Sequence, residues 1–393
     1  MEPPIINEFS NLGSPFGGQG ADIATIGGGL AGLSLSIQLA KAGYNVVLFE
    51  KERYAFHKVC GEYISLESRD FIMSLGLDLP GMNLPIIKKL IVSSPNGKYI
   101  EQELPLGGFG ISRYTLDNEL SKIARNAGVK IYEETKVNDI VFEDDVFTIS
   151  TSAFSIQSKV AAGTFGKRSN IDVKWSRDFI RQKSNNLNNY IGIKYHIETE
   201  LPADNIALHN FKDGYCGISK IEDGKYCLCY LTTAENLKAN NNSIAEMEKN
   251  VLLKNPFLKQ IFSSSTFLPG FPVTISQISF DKKSQVENNV LMIGDAAGMI
   301  TPLCGNGMSM ALHGSKIAFQ CIDHFLQKKI SREQMEYQYT KKWKHQFAGR
   351  LRMGRMIQRL FGKEFITNVF ISAVKPFPFI IRRLIRSTHG KPF

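Results

Sequence analysis

The segment Gly27-Gly28-Gly29-Leu30-Ala31-Gly32 constrains this chain more than any other stretch. Before it, Asp22–Ile26 is a short apolar run that reads as a strand. After it, Leu30–Ala42 reads as a helix ending at Gly43, and Asn45–Phe49 reads as a second strand. A βαβ unit therefore closes by about residue 50. In that context each glycine has a task. Gly27 permits the tight turn. Gly29 removes the side chain that would hold a pyrophosphate off the backbone, and Gly32 lets helix and strand pack closely. Gly28 and Ala31 complete the cradle, where free N–H groups and the helix dipole favour negative charge. Glu50 ends the second strand 23 residues after Gly27. A carboxylate there accepts both hydroxyls of an adenosine ribose and repels a 2′-phosphate, which argues against NADP in this pocket. Lys51, next to it, is counted with the cradle.

A second segment bears on which dinucleotide. Between Asn289 and Leu312 a buried-type strand, Val290–Ile293, runs into Gly294-Asp295, then Pro302, then Gly305-Asn306-Gly307 at the start of a helix from Met308 to Phe325. A strand-end Asp can bind a ribityl hydroxyl. A glycine-flanked helix start can offer N–H groups to the N1/C2 carbonyl edge of a flavin. An ordinary strand–loop–helix with a capping Asp is the other reading of this segment alone. Paired with the first motif, it points to FAD.

Between the two motifs the texture is β. Ile191–Ile197, Asn205–Phe211, Cys216–Ile221 and Tyr226–Leu231 read as antiparallel strands separated by turns such as Lys212-Asp213-Gly214, and Val273–Phe280 adds another. The expected fold class is α/β, or α+β overall. A Rossmann-like FAD-binding domain is assembled from residues 21–80, 108–168 and 286–325. An antiparallel β-sheet substrate domain from residues 81–107 and 169–285 is inserted into it. A loose lead at 1–20 and a basic helical region at 326–393 flank them.

With these motifs in order, the chain resembles the FAD-dependent oxidoreductases of the p-hydroxybenzoate hydroxylase type, and among them the geranylgeranyl reductase-like branch. The resemblance spans about residues 21–325. It rests on the glycine fingerprint, Glu50, Lys58-Val59-Cys60-Gly61-Glu62-Tyr63-Ile64-Ser65, Ile111-Ser112-Arg113-Tyr114-Thr115-Leu116-Asp117, Gly294-Asp295 and Gly305-Asn306-Gly307. It implies that Gly27, Gly29, Gly32 and Glu50 hold the ADP half. Arg113 would lie near the pyrophosphate and the backbone near Val137 beside the adenine. Asp295 would bind ribitol, and Gly305 to Gly307, with Met308, would face the isoalloxazine. One departure stands out. Such hydroxylases carry an Asp-Gly pair after a mid-chain strand, linked to NAD(P)H handling. The matching stretch here is Ala162-Gly163-Thr164-Phe165-Gly166-Lys167-Arg168-Ser169, without the acid. NAD(P)H is thus only a candidate transient reductant, and a donor protein is the other candidate source of electrons.

The resemblance also places Cys60 beside the flavin. Its thiol could give a proton to a substrate carbon or tune the ring, or be an inert half-buried residue. Glu62 is a candidate general acid or a plain loop charge. Lys58 could neutralise pyrophosphate or be solvated. Lys167 and Arg168 could meet a nicotinamide phosphate or an anionic substrate, or form a solvated turn. The seven histidines are scattered, and no spacing predicts a metal site. The substrate is expected to be largely apolar or lipid-like. Double-bond reduction and oxygenation both remain open; halogenation is disfavoured because no Trp-x-Trp-x-Ile-Pro segment occurs. The competing class is a membrane-peripheral electron-transfer flavoprotein with no substrate chemistry of its own.

Charge is unevenly spread. Residues 328–393 hold 16 Lys/Arg against three acids, out of a whole-chain net of +10, so the rest is slightly acidic. The basic tail admits three readings: contact with an anionic membrane through residues 350–393, a lid over the substrate cavity, or packing on its own domain. Nucleic-acid binding is not expected, since the tail has no recognisable motif for it. No Lys or Arg precedes Lys41, and the six cysteines form no Cys-x-x-Cys pair. The expected location is therefore the cytoplasm, with membrane-peripheral contact left open.

Overall fold

The computed structural model describes residues 20–183, 188–301, 305–360 and 363–393. The expected lead at 1–20, apart from Gly20, lies outside the described residues, as do Pro302 and Cys304. Two sheets organise the rest. The first is the Rossmann-like sheet. Its parallel strands run in the order Val290–Met292, Ser155–Gly163, Ala21–Ile26, Val46–Phe49 and Lys130–Tyr132. Their central residues, Ile23, Ala24, Val47, Leu48, Val160, Ala161 and Leu291, are apolar and buried, as strands of a covered parallel sheet require. A ribbon, Asp139–Glu143 with Val146–Ser150, extends it antiparallel to Ser155–Ser158.

Helices Leu30–Lys41 and Gly307–Leu326 each follow a parallel strand, so both start at the carboxyl edge of this sheet. They pack side by side, tied by the hydroxyls of Ser34 and Ser315 at 2.8 Å. The two glycine motifs, about 280 residues apart in sequence, thereby open at one crevice.

The second sheet runs in the order Thr266–Phe267, Tyr190–Glu198, Tyr226–Thr233, Gly214–Lys220, Asn205–Phe211, Ile86–Ser93, Tyr99–Gly110 and Tyr63–Ser65, with Val273–Ile278 also paired to Tyr190–Glu198. It is mostly antiparallel, but Asn205–Phe211 runs parallel to Ile86–Ser93. Tyr63–Ser65 and Gly108–Gly110 pair within it, although both fell in ranges expected for the nucleotide-binding part. Three-residue strands show no readable alternation, so only pairing reveals them.

The alternation of this sheet separates two environments. Ile193, Tyr195, Ile197, Ile218, Leu228 and Tyr230 face a core closed by Met247, Val251, Leu252, Leu258 and Ile261. On the other face, Lys194, His196, Ser219 and Cys227 turn toward the loop at residues 60–62. Farther along, Tyr190, Leu208, Tyr215 and Leu231 form an apolar surface with Val92, Ile100 and Phe280. Helices Glu364–Val374 and Pro378–Thr388 cover it with Ile371, Val374, Ile381 and Ile385. The long helix Arg332–Leu360 packs on the first domain through Met335, Tyr339, Trp343, Phe347 and Leu351, a four-residue spacing that makes one face. The tail is thus folded back on its own chain.

Candidate functional site

Gly27 has φ +110, and a Cβ there would come within 2.6 Å of the Thr164 carbonyl oxygen. A Cβ on Gly32 would lie 2.0 Å from the Gly27 oxygen. Both positions therefore exclude larger residues by backbone contact. At Gly29 an added Cβ would make ordinary contact with Arg113 Nη2 at 3.6 Å and Lys58 Nζ at 3.9 Å. Two cations thus overlook the glycine that the motif assigns to pyrophosphate. The buried Asp117 holds them there, accepting from Lys58 Nζ at 3.0 Å and from Arg113 Nε and Nη2 at 2.8 and 2.7 Å. Burial pushes the Asp117 carboxyl up, but the two cations outweigh it and keep it below the usual range.

Glu50 is buried over the cradle. One of its oxygens accepts from the Gly28 N–H at 2.9 Å, and Lys58 Nζ lies 3.8 Å away. Tyr54, which the sequence did not single out, donates to the Gly28 carbonyl at 2.6 Å and fills the space a side chain at 28 would need. Val137 is buried nearby, and its carbonyl accepts from Asn170 Nδ2 at 3.0 Å. The neighbouring segment is tied to Glu50 by the Thr135 N–H at 2.9 Å. Lys51 does not join the cradle. Its side chain is solvent-facing, 3.6 Å from the less exposed Glu52, because the chain turns outward after the strand. That expectation is corrected.

At the other end, Gly294 has φ +66 and packs against Ala31 and Ala311, so the turn sits between the two helices. The Asp295 carboxylate has no hydrogen bond or ion pair among the described residues, while its backbone oxygen accepts from Lys283 Nζ at 2.9 Å. Arg177 donates to the Ala296 carbonyl at 3.1 Å, and Gln285 to that of Ala297 at 3.1 Å. These three side chains brace the turn, and no spacing in the sequence announced them. Gly305 has φ +63 and lies against Tyr63. Asn306 is fully buried and donates to the Thr388 carbonyl at 3.0 Å. The helix from Gly307 begins with Met308 buried and with no side-chain cap, leaving its first N–H groups to a ligand.

The loop carrying Cys60 is bolted to the second sheet. The Cys60 carbonyl accepts from Cys227 Sγ at 3.2 Å, that of Gly61 from Ser219 Oγ at 3.4 Å, and that of Glu62 from the Ile111 N–H at 3.0 Å. Glu62, fully buried, accepts from Lys194 Nζ at 2.6 Å, from His196 Nε2 at 2.6 Å and from the Arg113 N–H at 2.8 Å. Burial pushes its carboxyl up, but the His196 hydrogen bond and the Lys194 charge win and hold it below the usual range. An acid held ionised with both oxygens engaged has no proton to give, so this geometry does not fit Glu62 as a general acid. Ligand atoms of Glu62, His196 and Cys227 lie within 4.8 Å of one another, but the Lys194 ammonium already balances the carboxylate. His57 meets His196 edge-on at 5.1 Å; burial, then the Lys194 and His196 charges, lowers it to about 4.

The residues present fit FAD. The two cations over Gly29 suit a pyrophosphate, and the uncommitted Asp295 and uncapped helix start suit a ribityl chain and the ring edge. Fold and cradle together resemble those of FAD-binding oxidoreductases.

Comparisons with known proteins agree. A family model described as an NAD(P)-binding Rossmann-like domain matches residues 25–57. Among curated proteins, the chain is similar to conditioned medium factor receptor 1 of Dictyostelium discoideum, 24% identical over 86% of this chain and 71% of that one. It is likewise similar to digeranylgeranylglycerophospholipid reductase of Methanosarcina acetivorans, 23% identical over 86% and 84%. Among solved structures, a geranylgeranyl bacteriochlorophyll reductase-like protein of Thermoplasma acidophilum superposes with a TM-score of 0.77 at 16% identity, covering 95% of this chain and 96% of that one. The flavin-dependent brominase Bmp2 does so with 0.75 at 20%, covering 94% and 93%.

Proposed function

We propose that this chain is an FAD-dependent reductase of double bonds in an apolar, lipid-like substrate. The observation that carries this is a cavity of about 730 Å³ lined by Tyr63, Leu104, Leu106, His313 and Ile385, with Tyr63 lying against the Gly305 turn. A chain-like hydrocarbon placed against Leu104, Leu106 and Ile385 would gain burial, at about 25 cal/mol per Å² of apolar area removed from water. The similarity to a phospholipid reductase over most of both chains supports the same choice.

When bound, FAD would supply hydride. Arg113 and Lys58 would hold its pyrophosphate over Gly29, Glu50 its ribose and Asp295 its ribityl chain, with the helix start at Gly307 and Met308 facing the ring. Cys60 would hold a proton at Sγ for the second substrate carbon, positioned through its own carbonyl by Cys227. The test is anaerobic. Protein reduced with dithionite is mixed with a geranylgeranyl ether lipid, and the lipid is analysed by mass. A gain of two hydrogens per double bond supports the proposal. An unchanged lipid, together with hydroxylation or epoxidation once O2 is admitted, would move the function to the monooxygenase side.

Helices Glu364–Val374 and Pro378–Thr388 also support a membrane contact. No single helix among the described residues is long and apolar enough to cross a membrane, but this pair, bent by 119°, matches a broken span in length and composition. It exposes Phe365, Val369, Phe377 and Phe379 beside Lys363, Lys375, Arg382 and Arg383. A basic, aromatic surface of this kind suits the interface of an anionic bilayer and would bring a lipid to the roof of the cavity. Replacing Phe365 and Phe379 by Ser should lower binding to vesicles of anionic phospholipid by tenfold or more. Unchanged co-sedimentation would refute it.

A further inference from the structure

The cavity beside the Gly305 turn is walled by distant stretches of chain. Strand Tyr99–Gly110 supplies Leu104 and Leu106, helix Arg332–Leu360 supplies Arg350, and the tail supplies Ile385, Arg386 and Lys391. Its charge is one-sided. Arg350, Arg386 and Lys391 line it, and among the described residues no Asp or Glu does. The strand explains part of this. Side chains alternate along it, so the face that brings Leu104 and Leu106 to the cavity sends Glu101 and Glu103 the other way, with Glu101 3.6 Å from Lys89. His313 and His389 also belong to the wall but add no charge near neutrality, because burial lowers both, His313 to about 4.

The cations are held where they are. Ile381, Ile385 and Thr388 bury one face of helix Pro378–Thr388, which leaves Arg386 exposed at the cavity mouth. Beyond the helix the chain is tied down. The Phe393 N–H donates to the Glu67 carbonyl at 3.3 Å, and the Phe393 ring stacks on His313 with centroids 4.0 Å apart. Gly390 passes so close to Arg350 that a Cβ there would lie 2.2 Å from Nη2. Lys391 therefore sits between two anchored positions. Neither Arg386 nor Lys391 makes an ion pair or a hydrogen bond among the described residues. Arg350 is only partly balanced: its acid, Glu67, lies 3.7 Å from Nη1, and Nη1 has no hydrogen-bond partner. Burial pushes the Glu67 carboxyl up against the pull of Arg350, which weakens that counter-charge further.

A cleft of one charge sign with apolar walls focuses its field inward and draws in the opposite charge. A wholly apolar ligand would strip water from these cations and give nothing back. We propose that the cavity takes an amphiphile with an anionic head, a phosphate or a carboxylate held by Arg350, Arg386 and Lys391, while its hydrocarbon chain lies on Leu104, Leu106 and Ile385. The inference rests on the lipid-like substrate of the proposed function and adds the charge by which that substrate is selected. It is separate from the membrane surface, whose Lys363, Lys375, Arg382 and Arg383 do not line the cavity.

Full-length, FAD-loaded protein is titrated calorimetrically with decyl phosphate, decanoate and decanol, which share one chain and differ in the head. At least one of the two anions should bind about tenfold or more tighter than decanol, as charge-assisted contacts require. Which of them does so identifies the head as phosphate or carboxylate. The double variant Arg386→Gln, Lys391→Gln should lose that preference while its affinity for decanol changes less than about threefold. Both side chains are exposed, so folding should tolerate the exchange. On the natural chain, raising salt from about 0.05 to about 0.5 M should weaken the anions several-fold and leave decanol little changed. Equal binding of all three ligands overturns the proposal, and so does a preference that survives in the double variant. Inorganic phosphate that competes as well as decyl phosphate would also overturn it, by making this a site for free phosphate. No reduction is measured, so failure of the reductase function leaves the result standing, and a chain that reduces the lipid but shows no anion preference refutes this inference alone.

Discussion

Breaking the Glu62–Lys194 pair should be costly, and the cost should be shared between the two partners. Both side chains have no exposed surface, and their charged atoms are 2.6 Å apart. Removing one partner of such a pair leaves the other buried and uncompensated, at about 3–5 kcal/mol. Lys194→Met falls at the lower end, about 3 kcal/mol, because Glu62 keeps His196 and the Arg113 N–H. Glu62→Gln falls at the upper end, since the Lys194 charge then meets only a neutral amide oxygen and the Phe271 ring, 5.8 Å away. The double variant, with no charge to strand, should lose much less than the sum, giving a coupling of about 3 kcal/mol. Urea unfolding followed by fluorescence reads this out. With a slope of about 3 kcal/mol/M, Lys194→Met shifts the midpoint by about 1 M. Glu62 is held below its ordinary 4.5 and Lys194 above its ordinary 10.5. The Glu62 contribution is present above pH 4.5 and fades as pH falls further. The Lys194 contribution is present below pH 10.5 and fades as pH rises further. A shift for Lys194→Met below about 0.3 M, or strictly additive single and double variants, would refute the pairing.

Other consequences follow from the same geometry. Glu50→Ala should purify without colour, with FAD affinity reduced roughly 10–100-fold by loss of a charged acceptor; retention of full FAD counts against the ribose assignment. Gly32→Ala places a Cβ 2.0 Å from the Gly27 oxygen, and the resulting overpacking should cost about 1–3 kcal/mol and weaken FAD retention; normal flavin content and stability would contradict it. His209 is buried beside Ser93, at 2.8 Å, and burial lowers it from 6.5 to about 4. The unfolded chain takes up this proton first, so stability should fall as pH drops from 6.5 toward 4, by about 3 kcal/mol at most. An acid limb equally steep in His209→Gln would refute that origin.

Much of the nucleotide-binding half was legible because its signals are local. Strand, turn and helix at residues 21–41 follow one another in the chain, and the strand–loop–helix at 290–326 repeats the pattern. The strands at 190–233 were readable from alternation and Asp-Gly turns, and they appear within about two residues of the expected bounds. Lys51 misled because adjacency to Glu50 says nothing about which way a chain turns after a strand. Glu62 resembled a candidate acid only while its neighbours were unknown.

Residue type and spacing alone determined the two glycine turns, each between a strand and a helix, since steric exclusion of side chains and free helix N–H groups act within a few consecutive residues. Tertiary structure alone decided which charges are spent and which are left. Glu62 meets Lys194 and His196 across more than 130 residues, and Lys283 joins two loops that are distant in sequence. It also decided that the basic tail folds back to roof an apolar sheet face. Burial and pairing depend on which surfaces meet when the sheets close, and no local pattern carries that information.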